Sequence, residues 1–350
     1  MKACYFFSNY YLSYITGQAG LMNKVAQETA KNSIDTYVIS NGLEKKEFMN
    51  NNVHYVIHEG KGNIITYIRN LFPIVFQLSH IKPDIINTHG VLYTLYIWFI
   101  NRLYNYTHYV TISESLDQFG SFTSRIFTYC IHRTKHIFVT SNFIKNQLIN
   151  NGVSSDKITI IKIGLDKKFT IFKSKDERNY ILYFGDANKE RGFDKIVQLS
   201  KIMPNMKFLI LLRKYEKNNI LIKSTIESQN ITTLYYPYRK SLISMISQAK
   251  LILLPFQWMS VRPPISIIES MALGKCTLTS NMKGNDEIVS NGENGYLCDF
   301  NKIESVVNLI NNLHKNNHLR LKIGKRAKKD ILKIYSNTEY SKILKIYSSI

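Results

Sequence analysis

The sequence predicts an α/β protein of two doubly wound domains, each a parallel sheet covered by helices on both faces. Three observations carry that prediction. Short apolar runs alternate with longer segments of helical period. The alternation pauses once, in a charged stretch around residue 170, and then restarts. Finally, 350 residues, 45% of them hydrophobic, suffice for two full cores but are long for one.

The first domain, residues 1–170, is read from strand-like runs at 3–7, 36–40, 53–57, 85–88, 108–112, 137–140 and 158–161. They are short and mostly apolar, the pattern of strands buried on both faces. Between them apolar residues recur at i, i+3 and i+4, as in 22–31 and 142–150, which predicts helices. Strand, helix, strand in this rhythm means parallel pairing. From Asp166 to Arg178 the chain is charged and short of core-type residues, so it reads as a linker. The second domain, 171–335, repeats the pattern: strand 180–184, helix 193–202, strand 208–212, helix 242–248, strand 251–255, helix 265–273 and strand 276–280. Ligands of such sheets bind at the carboxyl ends of the strands, and two domains facing one another would enclose a cleft.

Composition narrows the function classes. The most apolar run, 91–100, is about half the ~20 residues a membrane span needs, and Asn101 and Arg102 end it. The first seven residues lead straight into Ser8 and Asn9 and read as a strand, not a signal peptide. Cys4, Cys130, Cys276 and Cys298 are far apart and lack CxxC spacing or a His cluster. They read as buried free thiols, which fits a cytoplasmic protein. The formal net charge of +21 calls for an anionic partner. No zinc-finger spacing or RNP-like motif points to nucleic acid, so an anionic membrane surface is the expected partner, with a solvated basic face as the plainer alternative. The stretch 64–78, where aromatic and aliphatic residues surround Arg69, suits a membrane face but reads slightly better as a core helix.

Chemistry concentrates between Leu251 and Phe300. A strand leads through Arg262-Pro263-Pro264 into a helix of about two turns that stops at Gly274. Glu269 lies mid-helix among apolar residues, where a carboxylate is costly without a partner. Two ligand hydroxyls, as on a ribose, would serve; so would a salt bridge. The helix start favours a phosphate through free amides from Ile265 onward, and Arg262 adds a full charge. An ordinary helix start with a solvated Arg is the competing reading.

These residues carry a resemblance. Pro255, then Pro264 to Lys275 (Pro-Ile-Ser-Ile-Ile-Glu-Ser-Met-Ala-Leu-Gly-Lys), Gly284, Glu287-Ile288-Val289 and Asn291 to Leu297, resembles the donor-binding region of family 4 glycosyltransferases. The order of weaker matches is right along nearly the whole chain. Gly17 to Gly20 resembles the family's first glycine-rich loop, and Lys82-Pro83-Asp84 with the strand after it resembles its "PD" strand. Val139 to Asn142, Gly152, Gly164-Leu165-Asp166 and Phe169 resemble the interdomain stretch. Tyr183-Phe184-Gly185 and Lys189-Glu190-Arg191-Gly192 resemble the start of the second domain. The resemblance implies the GT-B fold, two Rossmann-like domains facing across a cleft, with a final helix in 336–350 returning to the first domain. It also implies a nucleotide-sugar substrate, a glycan or lipid-linked acceptor, and retention of anomeric configuration.

Carried over residue by residue, Glu269 would hold the donor ribose and Arg191, where the family usually has Lys, the pyrophosphate. The amides of Ile265 and Ser266 would face the phosphates, and Gly17 would admit the donor close to the backbone. Three departures stand out. Val261 occupies the first position of the family's E-x7-E, Asp186 follows Gly185 where an Arg is common, and Ser113-Glu114 follows the strand after which a His is common. Lys189 or Arg262 would replace the missing Arg. Ser113, Glu114 or His89 would face the sugar, His89 otherwise capping a strand. No Asp-x-Asp is present, so no metal or other cofactor is expected. Arg191, Arg262 and helix amides would then stabilise the leaving diphosphate. The expected function is sugar transfer in capsule, lipopolysaccharide or other surface glycan synthesis. The departures leave a non-catalytic partner subunit as the alternative, and an epimerase or phosphorylase on the same fold as a third reading.

Overall fold

A computed structural model describes residues 1–8, 10–11, 14–15, 17–60, 64–162, 165–172, 176–212, 222, 228–235, 239–257, 261–335 and 339–348. Gly164, residues 173–175 of the expected linker and Ser336 lie outside the described residues. The chain forms two compact units, one of Met1–Gly164 with Asn337–Ile350, the other of Leu165–Ser336.

The first unit is built on an eight-stranded sheet. Its strands are β1 (Lys2–Phe7), β4 (Asp35–Gly42), β5 (Lys46–Asn50), β6 (Val53–Glu59), β7 (Ile85–His89), β8 (Thr107–Ile112), β9 (His136–Val139) and β10 (Ile158–Ile160). The two short strands β2 (Tyr10–Tyr11) and β3 (Tyr14–Ile15) pair antiparallel with each other. The order is β10-β9-β8-β7-β1-β4-β6-β5, parallel except for β5. Central strands are almost wholly buried because helices cover both faces. The helices are α1 (Gly17–Lys31), α2 (Ile64–Arg69), α3 (Leu71–Ile81), α4 (Val91–Tyr104), α5 (Ser121–Ile131) and α6 (Asn142–Asn150). One face packs α1 residues Leu21, Met22, Val25 and Ala26 on Ala3, Tyr5 and Phe7; the other packs Ile74, Leu78, Tyr93 and Ile97 on Cys4 and Phe6.

The second unit opens earlier than the charge pattern suggests. Within the expected linker, Asp166 caps the short helix α7 (Lys167–Ile171) by accepting from the Lys168 amide at 3.0 Å. Leu165 and Phe169 are buried in the core of this unit, so part of the charged stretch is anchored by two apolar side chains. Six parallel strands follow in the order β13-β12-β11-β14-β15-β16. They are β11 (Ile181–Gly185), β12 (Phe208–Leu212), β13 (Ile231–Tyr235), β14 (Leu251–Leu254), β15 (Thr277–Ser280) and β16 (Tyr296–Cys298). The helices are α8 (Phe193–Ile202), α9 (Arg239–Gln248), α10 (Ile265–Ala272), α11 (Ile303–Lys315) and α12 (Asn317–Ile334). The order reverses between β11 and β14, which makes their carboxyl ends the switch point where such sheets bind ligands.

Two features fix α10. Gly324 of α12 lies so close to its C-terminal end that a Cβ there would stand 2.0 Å from the Gly274 carbonyl oxygen. Lys275, the next residue, donates from Nζ to Glu177 Oε1 at 2.9 Å, and Arg320 donates from Nη2 to Glu177 Oε2 at 2.6 Å. Both cations are buried.

The final helix, α13 (Glu339–Tyr347), belongs to the first unit. Its Tyr347 is buried, stacks edge-on against Tyr109 at 4.8 Å and accepts a hydrogen bond from Asn87 Nδ2 at 2.7 Å. All four cysteines are buried free thiols. No helix among the described residues is long and apolar enough to cross a membrane.

Candidate functional site

The loop after β11 and the loop after β14 are tied together at the switch point. Residue 192 heads α8 with φ +71° and ψ 28°. A Cβ at Gly192 would lie 1.7 Å from the Pro255 carbonyl oxygen and 2.6 Å from its carbon, so only glycine lets the two backbones meet. Beside that contact the Gln257 amide donates to the Glu190 carbonyl at 2.9 Å, and its Nε2 donates to Asp194 Oδ1 at 2.5 Å.

Arg191 is placed by this arrangement. Its amide donates to Asn188 Oδ1 at 2.8 Å, a side-chain turn that shapes the loop. Its guanidinium lies over the Phe256 ring, 5.3 Å from the centroid, so a ring on the β14 loop orients a cation on the β11 loop. Elsewhere in the loop Lys189 is exposed, Gly185 and Asp186 are half-buried and Ala187 is buried. Tyr183 closes the turn by donating its hydroxyl to the Asp186 carbonyl at 2.7 Å.

The Gly192→Ala variant tests that contact. The substituted residue would hold an unfavourable left-handed conformation and collide with Pro255. A stability loss of about 2 kcal/mol is expected by denaturant unfolding. An unchanged midpoint would mean that the two loops separate without cost.

The β14 loop leads through Arg262, half-buried, into α10. Pro264 precedes the helix without a side-chain cap, and its carbonyl accepts from the Ile267 and Ile268 amides. The amides of Ile265 and Ser266 therefore precede the first helical hydrogen bond, at the positive end of the helix dipole. Glu269 is on the same helix and only 6% exposed. Ile267, Ile268, Met271 and Ala272 around it form core, and Ser270 beside it is buried too, so the helix holds one buried carboxylate among mostly apolar residues. Val261 is buried too, an apolar side chain in a packed position where the resembled family carries a glutamate.

In the first unit, the candidates gather at the carboxyl edge of adjacent parallel strands. His89 ends β7 and Ser113 follows β8; His89 Nε2 and Ser113 Oγ are 2.7 Å apart and both residues are buried. Glu114 next to them is half-buried. His108 is a core histidine: it shares a 2.9 Å hydrogen bond with Thr88 Oγ1, and burial pulls its pKa down to about 3. Gly17 is not in a loop. It starts α1, so Gly17 to Gly20 form the first turn of that helix, five residues before the expected start at Met22.

Sequence reasoning missed Asn188, Phe256 and Gln257. Asn188 carries a weak local signal, an Asn three residues before the residue it caps. Phe256 and Gln257 carry none, because their partners are more than 60 positions away in the chain.

Residues 15–169 match the model for Glycosyltransferase Family 4, and residues 166–330 match that for Glycosyl transferases group 1. The chain is 22% identical to the capsular polysaccharide biosynthesis glycosyltransferase CapM of Staphylococcus aureus, over 94% of this chain and 93% of CapM. It is 22% identical to the N,N'-diacetylbacillosaminyl-diphospho-undecaprenol alpha-1,3-N-acetylgalactosaminyltransferase of Campylobacter jejuni, over 61% of each. Its fold is similar to that of Anabaena HepE in complex with UDP, with a TM-score of 0.80 and 12% identity over the full length of both chains.

Proposed function

This chain belongs to the family 4 glycosyltransferases, and we propose that it moves a sugar, with retention, from a nucleoside diphosphate donor to a glycan or lipid-linked acceptor in surface polysaccharide synthesis. The observation that carries the reading is the tied pair of loops at the β11/β14 switch point. They bring a cation, a helix N-terminus and a buried carboxylate to one edge of one sheet.

In this reading Arg191, Arg262 and the Ile265 and Ser266 amides hold the diphosphate, with Lys189 and Gly185 on the adjoining loop. Glu269 accepts from two ribose hydroxyls. As the glycosidic bond breaks, negative charge grows on the leaving diphosphate, and fixed donors oriented before the reaction stabilise it best. No metal is required in this scheme. His89, Ser113 and Glu114 hold sugar or acceptor hydroxyls, and Gly17 opens space for the donor. Work on a lipid-linked acceptor would keep the enzyme at the cytoplasmic membrane surface. The HepE complex makes UDP the first nucleotide to try, and the Campylobacter relative supports a lipid-linked acceptor.

Calorimetric titration of UDP and other nucleoside diphosphates, with and without chelator, tests this. One diphosphate is expected to bind in both conditions, and Glu269→Ala to weaken it about tenfold while the fold is kept, the scale of hydrogen bonds to a charged group. Equal affinity in Glu269→Ala would remove the ribose role. Binding abolished by chelator and restored by a divalent ion would overturn the metal-free scheme.

A further inference from the structure

The stretch 64–78, read above as a core helix, turns much of its apolar surface outward. Ile74 and Leu78 are core, whereas Ile65, Ile68, Phe72 and Phe76 are exposed. The same is true of the next two helices. Phe99 and Leu103 project from α4, and Phe122, Ile126 and Tyr129 from α5. Phe72, Leu103 and Phe122 are 79%, 77% and 75% exposed.

Single exposed apolar residues are ordinary; a cluster on neighbouring helices is not. These helices are neighbours. Residues of α3 and α4 share one core cluster on the same face of the sheet, and α4 meets α5 where Trp98 contacts Tyr129 edge-on at 5.8 Å. The outward residues keep helical spacing: 72 and 76, 99 and 103, then 122, 126 and 129. Each helix is thus apolar on two sides, one for the core and one for something else.

Charge says what that something is. Helices α2 to α5 contain no Asp or Glu. Their charged side chains are Arg69, Arg102 and Arg125, all exposed, and Arg133 follows α5. Arg102 lies over the Trp98 ring at 4.7 Å and Arg133 over the Tyr129 ring at 3.9 Å. Cations stacked on half-exposed aromatics beside bare Phe and Leu form a surface with an apolar level and a cationic level. A bilayer with anionic headgroups has the matching levels, acyl chains below and phosphates above.

We propose that the outer face of α2–α5 is the surface on which this enzyme lies against an anionic lipid bilayer. The proposal rests on the lipid-linked acceptor reading and names the part of the chain that meets the lipid. A protein partner or a second copy would be expected to find carboxylates or mixed polar groups to pair with. The charged side chains of α2 to α5 are all cations, on a chain whose net charge is already +21.

The test is flotation of the full chain with phosphatidylcholine vesicles and with vesicles of phosphatidylcholine mixed with phosphatidylglycerol. The wild type is expected to float with the mixed vesicles, less so as salt rises. The double variant Phe99→Ser/Phe122→Ser should bind them at least about tenfold more weakly, while its melting shift with UDP stays that of the wild type. Arg102→Gln/Arg125→Gln should lose the preference for phosphatidylglycerol. A wild type that ignores both vesicles yet still responds to UDP would overturn the surface and leave the transferase reading standing. Vesicle binding without any nucleotide response would do the reverse. Vesicle binding unchanged in the Phe variant overturns the proposal, as does a wild-type dimer that this variant turns into a monomer without any lipid binding.

Discussion

Arg191→Ala is expected to lower kcat about a hundredfold, the scale seen when one fixed donor to a developing anion is removed. Its backbone is held by Asn188 and its guanidinium by the Phe256 ring, so the wild-type cation is in position before the donor arrives. In the role proposed for Arg191, that preorganisation makes its contribution large, because less side-chain ordering is left for the reaction step. Arg191→Lys keeps the charge and loses the planar fork, and it should stay within about tenfold of the wild type. Steady-state rates with a cleavable donor, measured beside the melting temperature, check both variants. Folded Arg191→Ala with normal turnover would move the phosphate role to Arg262 or Lys189. A fall in affinity with kcat intact would mean that Arg191 binds donor and transition state equally.

Arg191 also shows where sequence reasoning reaches its limit. The central strands were legible because double burial leaves a nearly continuous apolar run, as in β1, β11 and β14. The edge strands β5 and β13 were not. β5 has no buried residue and β13 is at most half-buried, so neither needed an apolar signature. The charged stretch after residue 165 misled because two residues, Leu165 and Phe169, outweigh the lysines around them. The outward aromatics of α3 to α5 were hidden for a different reason. Helical period reports that apolar residues share a face, but not whether the sheet or the solvent lies beyond it. At the site, periodicity marked Glu269 and the helix start, and the resemblance supplied Arg191. The closure of Gly192 on Pro255 depends on two backbones from distant parts of the chain, which one-dimensional spacing does not encode.

Glu177→Ala is expected to destabilise the second unit by about 3 kcal/mol, the lower end of the cost of breaking a buried ion pair, since the carboxylate itself is partly exposed. The loss comes from the two cations left behind. Lys275 and Arg320 are 4% and 2% exposed. Without Glu177 they keep neutral acceptors only: the Ser247 carbonyl for Lys275, and the Leu313 carbonyl and Asn317 Oδ1 for Arg320. Burial alone would raise the Glu177 carboxyl, but hydrogen bonds from Arg320 and Lys275 outweigh it and hold its pKa below the usual 4.5. A carboxyl with a lowered folded pKa stabilises fully above its unfolded value and loses that contribution as pH falls toward the folded one. The wild type should therefore lose stability as pH drops below about 4.5, and Glu177→Ala should lose less over the same window. Denaturant unfolding at neutral and acid pH reads both effects. Because Lys275 adjoins the Gly274 stop of α10, donor affinity measured well below the melting temperature separates two roles for the triad. Retained affinity makes it a support for the unit as a whole. Affinity that falls with stability makes it the far anchor of the helix carrying Glu269. An unfolding midpoint equal to the wild type at neutral pH would show that the two cations reach water once Glu177 is gone, and that the triad adds little to the fold.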